Sequence, residues 1–132
     1  MSFGRTFCLT ATALLAGAIS LGASAGDLHY SNKWRIQISE GANNDGTIQI
    51  RVTPKDGTPP TEVSVPIKDG RSENGVARDV KNALKASLDP ARYHVEGDDG
   101  EDVLVKKKGD ASDFALEVTE NLKGTHINLD RE

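Results

Sequence analysis

The sequence predicts an α+β domain: a mostly antiparallel sheet in the order βββ-α-ββββ, with one helix packed on one face. Three observations lead there. Seven short runs carry strand-like patterning, and several alternate apolar with polar residues, the period of a half-buried strand. One stretch, Ser72 to Leu88, switches to helical spacing. The links are short and rich in Gly, Asp and Asn, as hairpin connections between antiparallel strands require.

Residues 26–32 read as a short, flexible lead-in. In the first run Trp34, Ile36 and Ile38 alternate with Lys33, Arg35, Gln37 and Ser39. Trp34 on this parity is expected in the core. Turn residues from Gly41 to Gly46 follow, and then Ile48, Ile50 and Val52 alternate with polar partners. The two runs read as an antiparallel hairpin. Pro54 to Pro60 is a second connection, and Val63, Val65 and Ile67 form a third run with Pro66 on the opposite parity. Proline cannot donate to a ladder, so this strand lies at an edge or ends at Pro66.

Val76, Ala77, Val80, Ala83, Leu84 and Leu88 then fall on one helical stripe. Ser72 or Asn74 caps its start and Asp89-Pro90 stops it. Four further runs, Tyr93 to Glu96, Val103 to Lys107, Phe114 to Thr119 and His126 to Asp130, are separated by turn residues. The sheet face away from the helix reads mainly polar, as expected where one layer has no partner.

Ahead of the domain, Arg5, an apolar stretch from Phe7 to Leu21 and Ala23-Ser24-Ala25 have the three parts of a bacterial-type secretory signal. The expected division is a signal peptide over residues 1–25 and one domain over 26–132. Gly17, Ser20 and Gly22 interrupt the apolar stretch, which is shorter than the ~20 residues of a membrane-spanning helix. Cys8 lies at the start of the apolar stretch, far from Ala25, in the wrong place for a lipoprotein anchor. Cleavage would lower the basic count from 16 to 15 against 20 acidic residues, moving the formal charge from −4 to −5. It would also remove the only cysteine, excluding thiol nucleophiles and thiolate metal sites from the domain. The expected location is periplasmic or secreted, with no transmembrane segment in the mature chain. An acidic domain also argues against nucleic acid, whose phosphates need clustered Lys and Arg.

Residues 62–119 run strand, Gly70 turn, helix with Val-Ala-x-Asp-Val at 76–80, Tyr93-His94-Val95, a Gly turn, Val103-Leu104-Val105 and Phe114-Ala115-Leu116. This resembles the strand–helix–strand–strand unit of phage tail and flagellar surface proteins. The resemblance covers about half the chain and rests on spacing. It implies a structural or interaction module and names no active site. The export signal departs from that pattern.

Among the chemistry-bearing residues, Glu96, Asp98, Asp99, Glu101 and Asp102 form the densest charge. Asp98, Asp99, Glu101 and Asp102 are candidate Ca²⁺ ligands, because that cation takes several carboxylate oxygens. The plain alternative is a solvated hairpin turn, and the order of acids does not match an EF-hand. Lys106-Lys107-Lys108 reads as a guarded edge strand or an anionic contact. His94 and His126 read as polar-face residues. His29 enters a Cu²⁺ or Ni²⁺ site only if cleavage leaves Asp27-Leu28-His29 as a free N-terminus. No cofactor is otherwise expected. No Gly-x-Ser-x-Gly elbow, phosphate loop or His-Glu-x-x-His is present. The leading expectation is a non-enzymatic exported protein of inhibitor, immunity, assembly or envelope-adaptor type. Its partner would be another protein or an envelope component, taken at an edge made by Val63, Val65, Pro66 and Ile67. The alternative is a small-ligand or metal-ion binding protein.

Overall fold

The structure is a computed structural model that describes residues 28–132. The expected export signal lies outside the described residues. Seven strands and one helix occur in the expected order: β1 (Lys33–Ser39), β2 (Gly46–Pro54), β3 (Thr61–Ile67), α1 (Glu73–Ser87), β4 (Tyr93–Asp98), β5 (Asp102–Lys107), β6 (Phe114–Glu120) and β7 (His126–Arg131). All strand pairings are antiparallel.

The arrangement of those strands differs from the expected one. There are two sheets: four strands in the order β4-β5-β1-β7, and three in the order β3-β2-β6. β1 and β2 are therefore not a hairpin. β1 lies between β5 and β7, and β2 between β3 and β6. The reason lies in the connection between them. Ala42 is buried and its N–H donates to the Arg71 carbonyl at 2.8 Å, while Gly70 N–H donates to the Ala42 carbonyl at 3.0 Å. The Gly41 segment is thus bonded to the β3–α1 loop and cannot fold β2 back onto β1. A side chain at Gly41 is impossible there, because its Cβ would collide with the Arg71 carbonyl oxygen. Alternation is the same whichever strand lies alongside, so the sequence pattern could not distinguish the two arrangements.

Each sheet turns one apolar face inward. Ile36 and Ile38 of β1, Ile48 and Ile50 of β2, Val63 and Val65 of β3, and Val103 and Val105 of β5 are at most 1 % exposed and belong to one core. The helix completes that core with Val76, Val80 and Leu84. It packs against β3 of one sheet and against β4, β1 and β5 of the other. The helix therefore closes the core between two sheets, where a helix on one face of a single sheet was expected. The Ser72 hydroxyl accepts from Gly75 N–H at 3.1 Å and caps its start. Leu88 ends it in extended backbone just before Asp89-Pro90.

A second tie joins the sheets at the other side. Ser31 and Phe114 exchange two backbone hydrogen bonds of 2.9 Å, and the Trp34 indole N–H donates to the Phe114 carbonyl at 2.9 Å. Trp34 is buried, as its parity predicts. Ser31 of the lead-in is thereby bonded to β6.

β3 does lie at a sheet edge, with Pro66 exposed and opposite Thr47. Substituting Val65 by Asp would bury an ionised carboxylate without a partner, and is expected to cost about 4 kcal/mol or more. Pro66→Ala is expected to change stability by less than about 1 kcal/mol. Urea unfolding of both variants checks the contrast, and equal losses would count against the edge position of Pro66.

Candidate functional site

The residues expected to mark a site separate in space. Val63, Val65 and Ile67 of the β3 edge are buried in the core at 0, 1 and 3 % exposure, leaving Pro66 as the one exposed side chain of the four. The lysine run does not guard an edge either. β5 is an interior strand, Lys106 Nζ lies 3.2 Å from Glu96, and Lys107 Nζ lies 3.5 Å from Asp113.

The acidic turn is a hairpin tip between β4 and β5. Asp99 and Gly100 both take positive φ, 52° and 80°, the conformation that an Asp-Gly primed turn requires. Carboxylate oxygens of Asp98, Asp99 and Asp102 lie within 4.8 Å of one another. Glu101 is not in that group, and His29 borders a separate depression with Tyr30, Trp34 and Leu129. A positive charge already serves two of the three carboxylates. The Arg35 guanidinium donates to Asp102 at 2.7 Å, Asp98 at 2.9 Å and Glu132 at 3.0 Å. Bonds to Glu132, then Asp102 and Asp98, hold its pKa well above the ordinary arginine value. Asp102 is 6 % exposed and depends on this pairing, although its Oδ1 has no partner among the described residues. The cluster is the centre of a polar outer face on the four-stranded sheet. His94 and Lys106 both reach Glu96 on the same face, and they hold its carboxyl below the ordinary glutamate range.

The more informative geometry is at the edge strand β4. Lys107 N–H donates to Asn32 and Ile38 N–H to Glu101, so the odd residues of β5 bond toward β1. Lys108 N–H donates to the Arg92 carbonyl, so the even residues of β4 bond toward β5. Successive residues of an antiparallel strand point their N–H and C=O to opposite sides. Tyr93, Val95 and Gly97 therefore point their backbone groups away from the sheet. Asp89 accepts the Tyr93 N–H at 3.0 Å, but no backbone bond in the described residues reaches Val95 or Gly97 on that side. The ladder is unbonded on that side, exposed at Gly97 and covered at Val95, which is 5 % exposed.

A wall stands beside it. Two depressions lie end to end between α1 and β4. One is bordered by Asn74, Arg78, Lys81, Gly97 and Asp99. The other, about 300 Å³, is bordered by Leu84, Lys85, Leu88, Tyr93, Val95 and Lys108. Asn74, Arg78, Lys81, Lys85 and Leu88 recur at three- and four-residue steps, one stripe of the helix. Lys81 lies directly over the edge: a Cβ at Gly97 would be 3.6 Å from its Cδ and 3.9 Å from its Nζ. The cations here lack partners. Elsewhere among the described residues seven Lys and Arg side chains lie within 4.0 Å of a carboxylate, while Lys55, Lys68, Lys123 and Arg131 do not. Arg78, Lys81, Lys85 and Lys108 pair with no carboxylate among the described residues. Lys108 instead donates to the Pro90 carbonyl at 2.9 Å.

The near end of β4 is fixed from the β2–β3 connection. Arg92 donates to Asp56 at 2.8 Å and to the Thr58 hydroxyl at 3.3 Å. Tyr93 packs edge-to-face on Phe114, with centroids 5.1 Å apart, and its buried hydroxyl has no partner among the described residues. Burial pushes the Tyr93 phenol up. The sequence suggested none of this groove, because the helix stripe reads as an ordinary solvated face until β4 is placed beside it.

Two outcomes follow. Arg35→Leu would strand the buried Asp102 carboxylate and is expected to lower the midpoint of chemical denaturation. Asp56 is held down to about 2 by the Thr58 hydroxyl and N–H, and then by Arg92. A depressed carboxylate binds fewer protons folded than unfolded, so its stabilisation is full above pH ~4 and lost as pH falls toward 2. Asp56→Asn should therefore flatten the stability profile between pH ~4 and 2, and an unchanged acid limb would contradict the pairing. No family model and no curated protein matches this chain, so the groove is interpreted from its own geometry.

Proposed function

We propose that this chain is an exported, non-enzymatic protein, periplasmic or secreted, that works by contacting another protein. The contact is strand addition: an extended segment of the partner lies in the groove between β4 and α1 and continues the four-stranded sheet. The observation that carries this reading is the row of unbonded N–H and C=O groups at Val95 and Gly97, set beside a helix wall. Main-chain bonds at such an edge supply affinity, and the neighbouring pockets supply selectivity.

The other edges support the choice of β4. Pro66 removes a donor from β3, a usual way of making an edge unattractive to partners. The outer side of β7 borders a depression lined by His29, Tyr30 and Ser31 of the chain's own lead-in. β4 carries no proline, and its Gly97 is exposed.

Gly97→Pro tests the assignment, since it removes an outward donor without touching a bond between β4 and β5. Gly97→Ala is the folding control, because its methyl meets Lys81 at an ordinary van der Waals distance. Both variants and the parent are cross-linked in the native envelope fraction and analysed by mass spectrometry. The expected result is one partner joined through Lys81 or Lys85, kept in Gly97→Ala and lost in Gly97→Pro. Recovery of the same cross-links from Gly97→Pro would remove β4 as the contact.

A further inference from the structure

The cations along the groove say which kind of segment fits. We infer that the groove selects an extended peptide with an apolar side chain flanked at alternate positions by acidic ones. The inference rests on the strand-addition reading and adds the chemical class of the partner. Its basis is the coincidence of an unbonded backbone ladder, unpaired cations and one depression of mixed apolar and basic lining along the same line.

A strand added to β4 would turn every second side chain toward α1, at a spacing of ~6.6–6.8 Å. Leu84, Leu88, Tyr93 and Val95 form the apolar part of the second depression, beside Lys85, His94 and Lys108, and that part takes one such side chain. Its neighbours two positions away on either side then fall near Lys81, over Gly97, and near Lys108, beside the start of β4. Lys81 and Lys85 are about 6 Å apart along the helix axis, close to one step of that alternation. Carboxylates at those positions give cations without a protein partner the charge they lack. The domain is otherwise acidic, at 15 basic against 20 acidic residues beyond position 25. A line of unpaired basic groups in such a chain favours an acidic ligand in this groove while the surrounding surface repels one.

The test uses the full domain and a defined probe, the acetylated and amidated peptide Thr-Glu-Thr-Leu-Thr-Glu-Thr labelled with a fluorophore. Its sequence reads the same in both directions, so it suits either strand orientation. Fluorescence anisotropy gives the affinity, and amide hydrogen exchange gives the place of binding. The expected result is saturable binding that protects the Val95 and Gly97 amides and weakens at least tenfold in Lys81→Glu/Lys85→Glu. Binding should also weaken with added salt and be lost for the peptide in which Lys replaces Glu. A probe that fails to bind at 1 mM overturns the inference. So does equal binding of the Lys peptide, or protection away from β4. The groove variants carry only exposed or half-exposed changes, and an unchanged unfolding midpoint confirms that they fold. If the partner cross-links at β4 but the acidic peptide does not bind, the ligand class is wrong and strand addition stands. If neither binds at β4, strand addition itself fails.

Discussion

The architecture depends on the carbonyl oxygen of Phe114. It accepts two donors from the segment leading into and starting β1, the Ser31 amide and the Trp34 indole, each at 2.9 Å. Phe114 begins β6 in the three-stranded sheet, whereas Trp34 belongs to the four-stranded one. The Phe114 ring, fully buried, meets Tyr93 of β4 edge-on. One residue thus touches both sheets and the strand that borders the groove. With the sheets held there, the opposite opening is left for α1 to fill, and the helix stripe next to β4 follows from that placement. Each bond is worth only about 1 kcal/mol in isolation. Their effect comes from fixing two apolar faces over one core, where burial contributes far more.

Dividing seven strands between two sheets also decides where the free edges lie. A single seven-stranded sheet would have two. Two sheets have four, at β3, β6, β4 and β7. β6 is bonded at its start to Ser31, and β3 carries Pro66. β4 is different because its neighbour is a helix, and a helix contributes side chains but no ladder. The polar surfaces divide in the same way. On the outer face of the four-stranded sheet, Arg35 gathers Asp98, Asp102 and Glu132 into a closed ion-pair network. Around the corner, the cations of α1 remain without such partners.

Element type and extent were legible in the sequence because both are local. Every strand was placed within about two residues, and Ser72 capped the helix as its position suggests. Strand pairing was not legible, because Ile36 and Ile48 alternate identically whether or not their strands are neighbours. The pairing of β1 with β5 and β7, and the bonds of Ala42 to Gly70 and Arg71, exclude the hairpin, and these join residues far apart in the chain. The candidate site suffered the same limit. Pro66 correctly marked β3 as an edge, but its valines face the core. Asp98 and Asp102 were noticed as charge, while their partner Arg35 belongs to a strand that sequence placed elsewhere. No local signal joins Lys81 to Gly97. Their proximity exists only after the two-sheet arrangement is set.

The position of Lys81 over Gly97 has a bearing on solubility. An unprotected strand edge invites a second copy of the same chain to pair with it, the first step toward aggregation. Two β4 edges meeting about a two-fold axis would bring two sets of Arg78, Lys81 and Lys85 face to face. Like charges at that range repel, and the lysine stem already occupies space above the glycine. The same charges that are proposed to admit an acidic strand would oppose pairing between two β4 edges. Discrimination between partner and self requires no proline or bulge at β4, only the sign of the charge along one helix.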